Sequence, residues 1–274
     1  MGIASDILAD WDAARAALEW LHELGGIDPI GDAPVNRYDL AEREAPAPGR
    51  TSGCAPEARR APAAPAPAPE PAPQVDPVAE AERAARAAPG LEALAEAMAA
   101  YPHCELKKGA RNTVFCDGRP GARVMIVGEA PGRDEDLEGR PFVGRAGQLL
   151  DRMFAAIGLG RASPDAERGL YITNVMPWRP PSNRDPAPEE IAMMVPFLRR
   201  HVELADPEIV VVMGNTPAQA VLRQRGITRL RGHWTESWGK PVLPMLHPAY
   251  LLRNPGAKRE TWADLLALQA RLRG

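Results

Sequence analysis

Residues 124–132 read Val-Met-Ile-Val-Gly-Glu-Ala-Pro-Gly, and this stretch decides the fold. Its four apolar residues predict a short buried strand that ends at Gly128. A loop rich in glycine, proline and carboxylates follows, and the apolar spacing of residues 146–157 then predicts a helix. In open α/β sheets, ligands bind at the carboxyl ends of the strands, so Glu129 and Phe142 lie in a loop that is well placed for chemistry.

The glycines of this loop do not match the common phosphate-binding motifs. A P-loop requires Lys followed by Ser or Thr after its glycines, whereas residues 144–147 read Gly-Arg-Ala-Gly. The dinucleotide-binding pattern also fails, because Pro131 interrupts the glycines and no third glycine opens a helix at the required position. The loop is therefore a candidate active site of another kind, and an ordinary solvated loop is the alternative.

Strand-like runs alternate with helix-like segments along the rest of the chain. The predicted strands are residues 123–127, 170–175, 208–213 and 241–246, and the predicted helices are residues 146–157, 188–204, 216–224 and 260–272. This alternation predicts an α/β fold, a three-layer α/β/α sandwich around a central, mostly parallel four-stranded sheet. Parallel strands bring their carboxyl ends to one edge, so we expect Glu129, Asn174 and His247 to converge there.

The distribution of proline divides the chain. The sequence contains 30 prolines, and residues 61–73 form an Ala/Pro tract that cannot pack a core. We expect residues 42–80 to be a disordered linker and residues 81–274 to form one compact domain. In the N-terminal segment, residues 1–41, apolar side chains recur at helical spacing. This predicted helix either docks on the main domain or binds a protein partner.

Charge and composition narrow the possible functions. The net charge of −3 does not indicate a nucleic-acid binder, but basic residues cluster between positions 223 and 259. They face either a phosphate backbone or solvent. The sequence shows neither a signal-peptide pattern nor a run of about 18 apolar residues. We therefore expect a cytoplasmic protein with no membrane contact. The three cysteines, Cys54, Cys104 and Cys116, match no zinc pattern, and we expect free thiols.

Five long motifs follow one another after residue 120. They read Gly-Glu-Ala-Pro-Gly at 128–132, Gly-Arg-Pro-Phe-Val-Gly-Arg-Ala-Gly at 139–147, Tyr-Ile-Thr-Asn-Val at 171–175, Arg-Pro-Pro-Ser-Asn-Arg at 179–184 and His-Pro-Ala-Tyr-Leu-Leu-Arg at 247–253. In this order they resemble the family 4 uracil-DNA glycosylases, from about Cys104 to the C-terminus. The resemblance implies an enzyme of base excision repair that hydrolyses the N-glycosidic bond of deoxyuridine in DNA and leaves an abasic site.

The resemblance and the chemistry together assign roles to four side chains. His247 would donate to the uracil anion, and Glu129 would stabilise the sugar cation and orient or activate the attacking water. Asn174 carries a donor beside an acceptor, so one amide orientation pairs with uracil and clashes with cytosine. Phe142 would stack on the flipped base. The structural alternatives are a buried histidine, a strand-end cap for Asn174 and a core phenylalanine.

Further substrate contacts are expected around these residues. Backbone amides near Gly128 and Ala130 would bind the base or a phosphate. The nearby carboxylates Asp134, Glu135 and Asp136 are secondary candidates for positioning water, with solvated loop carboxylates as the alternative. Contacts with DNA are expected from the Arg-Pro-Pro loop and from an apolar wedge after His247, whose alternative is the start of the last helix. The residues concerned are Ser182, Asn183, Arg184, Tyr250, Leu251 and Arg253.

The resemblance also implies an iron–sulfur cluster, but its cysteines are missing. Many family members use four cysteines, and the corresponding positions here are Tyr101, Cys104, Trp178 and Met194. A lone cysteine cannot hold a cluster, so we expect no cluster and no other metal, with the replaced positions packed in apolar contacts. We expect a monomer that acts on uracil-containing DNA. The alternatives are a noncatalytic DNA-binding or replication-associated module on the same fold and a small-molecule hydrolase, which the missing phosphate loop disfavours.

Overall fold

The computed structural model describes residues 76–274; the predicted N-terminal helix, Cys54 and almost all of the expected linker lie outside them. Helix α1, Pro77–Ala87, begins inside the range that we expected to be linker. The side chain of Asp76 caps this helix by accepting two backbone N–H bonds, and Pro77 occupies the first turn, where a missing N–H costs nothing. The expected start of the domain at residue 81 was therefore too late.

The sheet contains four central parallel strands and two antiparallel edge strands. In chain order the strands are β1 Cys116–Gly118, β2 Val124–Gly128, β3 Leu170–Asn174, β4 Ile209–Met213, β5 Thr235–Ser237 and β6 Lys240–Met245, and their order in the sheet is β1-β3-β2-β4-β6-β5. Strands β3, β2, β4 and β6 pair in parallel, as predicted. The sequence analysis missed β1 and β5, because a run of three residues carries no readable periodicity.

Helices connect the strands and cover both faces of the sheet. After α1 they are α2 Leu91–Ala100, α3 Arg133–Glu138, α4 Arg145–Ala155, α5 Pro188–Ala205, α6 Asn215–Leu222, α7 Ile227–Leu230, α8 Pro248–Arg253 and α9 Lys258–Leu272. Short 3₁₀ turns occur at Glu105–Gly109, Pro181–Asn183 and Pro255–Ala257. The predicted helices correspond to α4, α5, α6 and α9. Within residues 76–274, no helix combines the length and apolar character needed to cross a membrane.

Alternate residues of the central strands enter two separate cores. In β2, Met125 and Val127 enter a core that includes α1, α2, α5 and α6, whereas Val124 and Ile126 enter a second core with α4 and α9. Parallel strands buried on both faces are typical of α/β proteins, and this arrangement confirms the predicted three-layer sandwich. The carboxyl ends of the parallel strands meet at one edge of the sheet, where the candidate site lies.

Candidate active site

The four predicted pocket side chains meet at the carboxyl edge of the sheet. Strand β2 ends at Gly128, just before Glu129, and strand β3 ends at Asn174, which is in register with Gly128. His247 follows the end of β6 and caps helix α8. Phe142 reaches the same place from the loop before α4, with its ring centroid 5.5 Å from that of His247 and an angle of 31° between the rings.

Gly128 lies between Asn174 and Phe142 and lets them approach each other. A Cβ atom at this position would collide with Asn174 Oδ1 and would lie 2.5 Å from two ring atoms of Phe142. Only glycine leaves room for the amide and the ring here. The Gly128 carbonyl accepts the N–H of Val175 at 2.9 Å, so its oxygen is engaged in the backbone ladder. Ala130, two residues after Gly128, is partly buried beside the core.

Asn174 is a buried polar side chain that lacks a partner. It is only 6% exposed, and neither Oδ1 nor Nδ2 finds a hydrogen-bond partner among the described residues. A buried polar group left unsatisfied costs about 1–3 kcal/mol, so this amide does not serve stability. A donor beside an acceptor is the complement of the O4 and N3–H edge of uracil.

Glu129 is a partly buried carboxylate held by a neighbouring hydroxyl. The Thr216 hydroxyl at the start of α6 donates to Glu129 Oε2 at 2.7 Å. Burial raises the pKa of Glu129, the hydrogen bond from Thr216 opposes this rise, and the negative charge of Asp185 adds to it. The sequence analysis assigned no role to Thr216 or Asp185. For Thr216 the only signal was its place after a parallel strand at the same edge.

His247 is neutral and presents one ring nitrogen as a donor. Its Nδ1 accepts the N–H of Ala249 at 3.2 Å, which places the ring proton on Nε2. Burial lowers the pKa of His247 to about 4, and the positive charge of Arg253 acts in the same direction. At neutral pH the side chain is therefore an uncharged imidazole that can donate a hydrogen bond from Nε2.

An open cleft of about 690 Å³ adjoins Glu129 and His247. It is also lined by residues from the loop before α5, from α6 and α7, and from α8, among them Asn183, Asp185, Asn215, Thr216, Arg225, Thr228, Tyr250 and Arg253. The cleft thus brings the Arg-Pro-Pro loop and α8 to the same side as the pocket side chains. The predicted DNA contacts Ser182, Asn183, Tyr250 and Arg253 are exposed.

The other two predicted DNA contacts, Leu251 and Arg184, make contacts within the protein. Leu251 is fully buried in the core, so its prediction as a wedge residue was wrong; its neighbours Tyr250 and Leu252 are 36% and 37% exposed. The segment forms helix α8, and its helical phase turns Leu251 inward. The guanidinium of Arg184 donates to both carboxylate oxygens of Glu190, at 2.9 and 2.6 Å, at the start of α5.

Two further carboxylates of the first loop bind backbone amides. Glu135 accepts the N–H of Gly132 through Oε2 and those of Val143 and Gly144 through Oε1, at 2.9–3.0 Å. Asp136 is 8% exposed and accepts two more backbone N–H bonds. Backbone amides engage both oxygens of Glu135 and Oδ1 of Asp136, so neither residue is a freely solvated loop carboxylate. Their water-positioning role stays a prediction.

Residues 115–266, more than half of the chain, match the family model of the uracil DNA glycosylase superfamily. The chain belongs to this superfamily. It is 42% identical over 170 residues to the type-4 uracil-DNA glycosylase of Archaeoglobus fulgidus, a match that covers 59% of this chain and 82% of that protein. For the type-4 uracil-DNA glycosylase of Thermotoga maritima the identity is 39%, with 60% and 84% covered. A type-5 uracil-DNA glycosylase of Pyrobaculum aerophilum is 33% identical, with 54% and 71% covered.

In this member of the uracil DNA glycosylase superfamily, the four expected cluster positions do not fit an iron–sulfur cluster. Tyr101, Cys104, Trp178 and Met194 are each at most 3% exposed and belong to one apolar core. The Tyr101 hydroxyl donates to the carbonyl of Pro77 at 2.7 Å. Burial raises the pKa of Cys104, which keeps its sulfur protonated. Across residues 76–274, no group of three or more His, Cys, Asp and Glu side chains is placed to hold a metal ion.

Proposed function

We propose that the protein is a uracil-DNA glycosylase that hydrolyses the bond between deoxyribose C1′ and uracil N1 in DNA. The products are free uracil and an abasic site, so the reaction begins base excision repair. The observation that carries this proposal is the buried amide of Asn174, unpartnered among the described residues, at the same sheet edge as Glu129 and His247. Membership of the superfamily and the similarity to type-4 enzymes support the same reaction.

Cleavage develops positive charge on the sugar and negative charge on the leaving base, so the site needs to stabilise both. His247 enters the reaction neutral, because its pKa is about 4, and its Nε2–H donates to uracil O2 as negative charge accumulates there. The carboxylate of Glu129 stabilises the cationic sugar and orients the attacking water. The hydrogen bond from Thr216 favours the ionised form of Glu129 and fixes one of its oxygens.

Base selection rests on Asn174 and Phe142. A base in a duplex must leave the stack before a pocket can enclose it. Asn174 then donates to uracil O4 and accepts from N3–H, whereas cytosine presents an acceptor and a donor in the opposite order. Phe142 stacks on the flipped ring. Tyr250 and Arg253 line the cleft that leads to the pocket, where they contact the DNA strand.

Uracil-containing single- and double-stranded oligonucleotides, followed by alkali to break abasic sites, test this proposal. We expect wild-type protein to produce breaks at uracil, and His247→Ala and Asn174→Ala to produce far fewer. His103→Ala is the matched control, because His103 pairs with Glu80 at 2.8 Å and does not line the cleft. A wild-type protein that binds DNA without breaking it would support the noncatalytic alternative. Unchanged uracil preference in Asn174→Ala would contradict the role of this amide.

We also propose that the enzyme works without an iron–sulfur cluster, because three of the four expected ligands are Tyr101, Trp178 and Met194. Protein purified without oxygen should contain no stoichiometric iron or sulfide and should be colourless. A visible absorption band that disappears in Cys104→Ala would overturn this proposal.

We further propose that the protein is cytoplasmic and monomeric. Light scattering of the full chain tests the monomer by measuring its mass in solution. Binding of a protein partner by the N-terminal segment remains a prediction.

A further inference from the structure

The loop segment 141–144 carries Phe142 in an unusual backbone conformation. Phe142 has a φ of 55°, in the left-handed region where bulky side chains are rarely found. Such a conformation persists only where surrounding contacts hold it, and it occurs preferentially at ligand-binding sites. The contacts that hold Phe142 therefore bear on the proposed stacking of this ring against uracil.

Arg161 supplies two of these contacts with one guanidinium group. Its Nη1 donates to the Pro141 carbonyl and its Nη2 donates to the Phe142 carbonyl, each at 2.9 Å. Two carboxylates orient the group: Nη1 also donates to Asp117 at 2.9 Å, and Nε donates to Asp151 at 2.8 Å. The Arg161 side chain is 14% exposed. Because the two carboxylates fix the planar guanidinium, its remaining N–H groups point to both carbonyls at once.

Glu135 and Gly147 hold the same segment through other atoms. Glu135 Oε1 accepts the N–H groups of Val143 and Gly144, at 3.0 and 2.9 Å. A Cβ atom on Gly147 would collide with the Phe142 carbonyl, so helix α4 packs directly against that group. The carbonyls of residues 141 and 142 and the amides of residues 143 and 144 are thus all engaged. The backbone of the segment is fixed, and the ring direction at Phe142 is set by it.

We infer that Arg161 is a positioning residue for uracil recognition. Through the Pro141 and Phe142 carbonyls it fixes the left-handed backbone that directs the Phe142 ring toward His247. The inference rests on the proposed function, in which this ring stacks on the flipped uracil. Arg161 lies outside every motif quoted above and is bonded to the loop rather than to the reacting groups. Its effect on uracil therefore passes entirely through the ring.

Inhibition of DNA cleavage by free uracil measures this effect, because free uracil occupies the base pocket without the sugar or the phosphates. We expect Phe142→Ala and Arg161→Gln each to raise the inhibition constant about tenfold, since one stacking contact is lost or misdirected. The inhibition constant of the double variant should be no higher than that of Phe142→Ala alone. Arg161→Lys keeps the charge but cannot reproduce the planar fork, so it should also bind uracil more weakly than wild type. It serves as the second variant if Arg161→Gln does not fold.

Arg123→Gln is the matched control for loss of a partly buried guanidinium. Arg123 pairs with Glu167 and Glu208 and donates to the Leu272 carbonyl, just before the start of β2 and far from the site. The Arg123→Gln variant should have a lower unfolding temperature and an unchanged inhibition constant for uracil.

Two outcomes would overturn the inference while leaving the proposed function intact. One is uracil inhibition in both Arg161 variants equal to that in Arg123→Gln. The other is multiplication of the Phe142→Ala and Arg161→Gln effects in the double variant, which would show that they act independently. An unchanged inhibition constant in Phe142→Ala would instead refute the stacking role itself, and the inference with it.

Discussion

Replacing Asn174 by alanine should reduce activity and raise stability in the same protein. The amide is buried, and neither of its polar atoms has a partner among the described residues, so its burial carries an unfavourable desolvation cost. In the proposed complex, uracil relieves that cost by pairing with both atoms. The alanine variant removes the cost from the free protein and removes the pairing from the complex.

The two effects have different sizes. Loss of two hydrogen bonds in a dry pocket, at about 1.5 kcal/mol each, corresponds to a decrease in kcat/KM of roughly 150-fold. Relief of an unsatisfied group contributes about 1–3 kcal/mol to the stability of the free protein, and lost packing offsets part of it. A net gain of about 1 kcal/mol raises the unfolding temperature by roughly 2–4 °C in a domain of this size.

Thermal unfolding and single-turnover cleavage of uracil-containing DNA measure the two effects on the same samples. Asn112→Ala is the matched control, because the Asn112 amide donates to the carbonyls of Asp136 and Leu137 at 2.7 and 3.3 Å. This control should lower the unfolding temperature, whereas Asn174→Ala raises it. If Asn174→Ala loses as much stability as Asn112→Ala, or keeps full activity, the reasoning about the unpartnered amide is refuted.

Three further predictions concern the same edge of the sheet and the two histidines whose pKa is lowered, His201 and His247. Gly128→Ala should lower stability by about 2 kcal/mol or more and weaken inhibition by free uracil, because its Cβ fills the pocket floor; denaturant unfolding and inhibition assays measure both. Thr216→Val removes the hydrogen bond that lowers the pKa of Glu129, so the acidic limb of the kcat/KM profile should move to higher pH. Burial lowers the pKa of His201 to about 3 and that of His247 to about 4. Since the unfolded chain takes up these protons first, the free energy of unfolding should fall as pH decreases from about 6.5 toward 4; a flat dependence would contradict both values.

The parallel core of the sheet could be predicted because its strands are buried on both faces. Runs such as residues 124–127 and 209–213 are continuously apolar, and a continuous run between turn signals predicts a buried parallel strand. The edge strands could not be predicted, because Cys116–Gly118 and Thr235–Ser237 are short and bury little apolar surface. The direction of Leu251 was also out of reach, since a six-residue helix does not reveal its phase in sequence.

The side chains placed at strand ends could be predicted as a group, but the residues that hold them could not. Glu129, Asn174 and His247 each lie at the carboxyl end of a strand in sequence, so topology alone brings them to one edge. Thr216 and Arg161 act through contacts with residues 87 and 20 positions away, and no local pattern marks such partners. Glu135 resembled a solvated carboxylate because sequence does not show which backbone amides lie within its reach.

The clamped backbone at Phe142 has a kinetic consequence for the search along DNA. The ring and the Asn174 amide both lie against Gly128, and the amide is closed off from solvent. Because the loop is anchored through Arg161 and Glu135, its backbone already has one conformation before a base arrives. Recognition of a base then needs no loop or lid movement, which is slower than rearrangement of side chains. The pocket can therefore admit and reject successive bases without rearranging the loop each time.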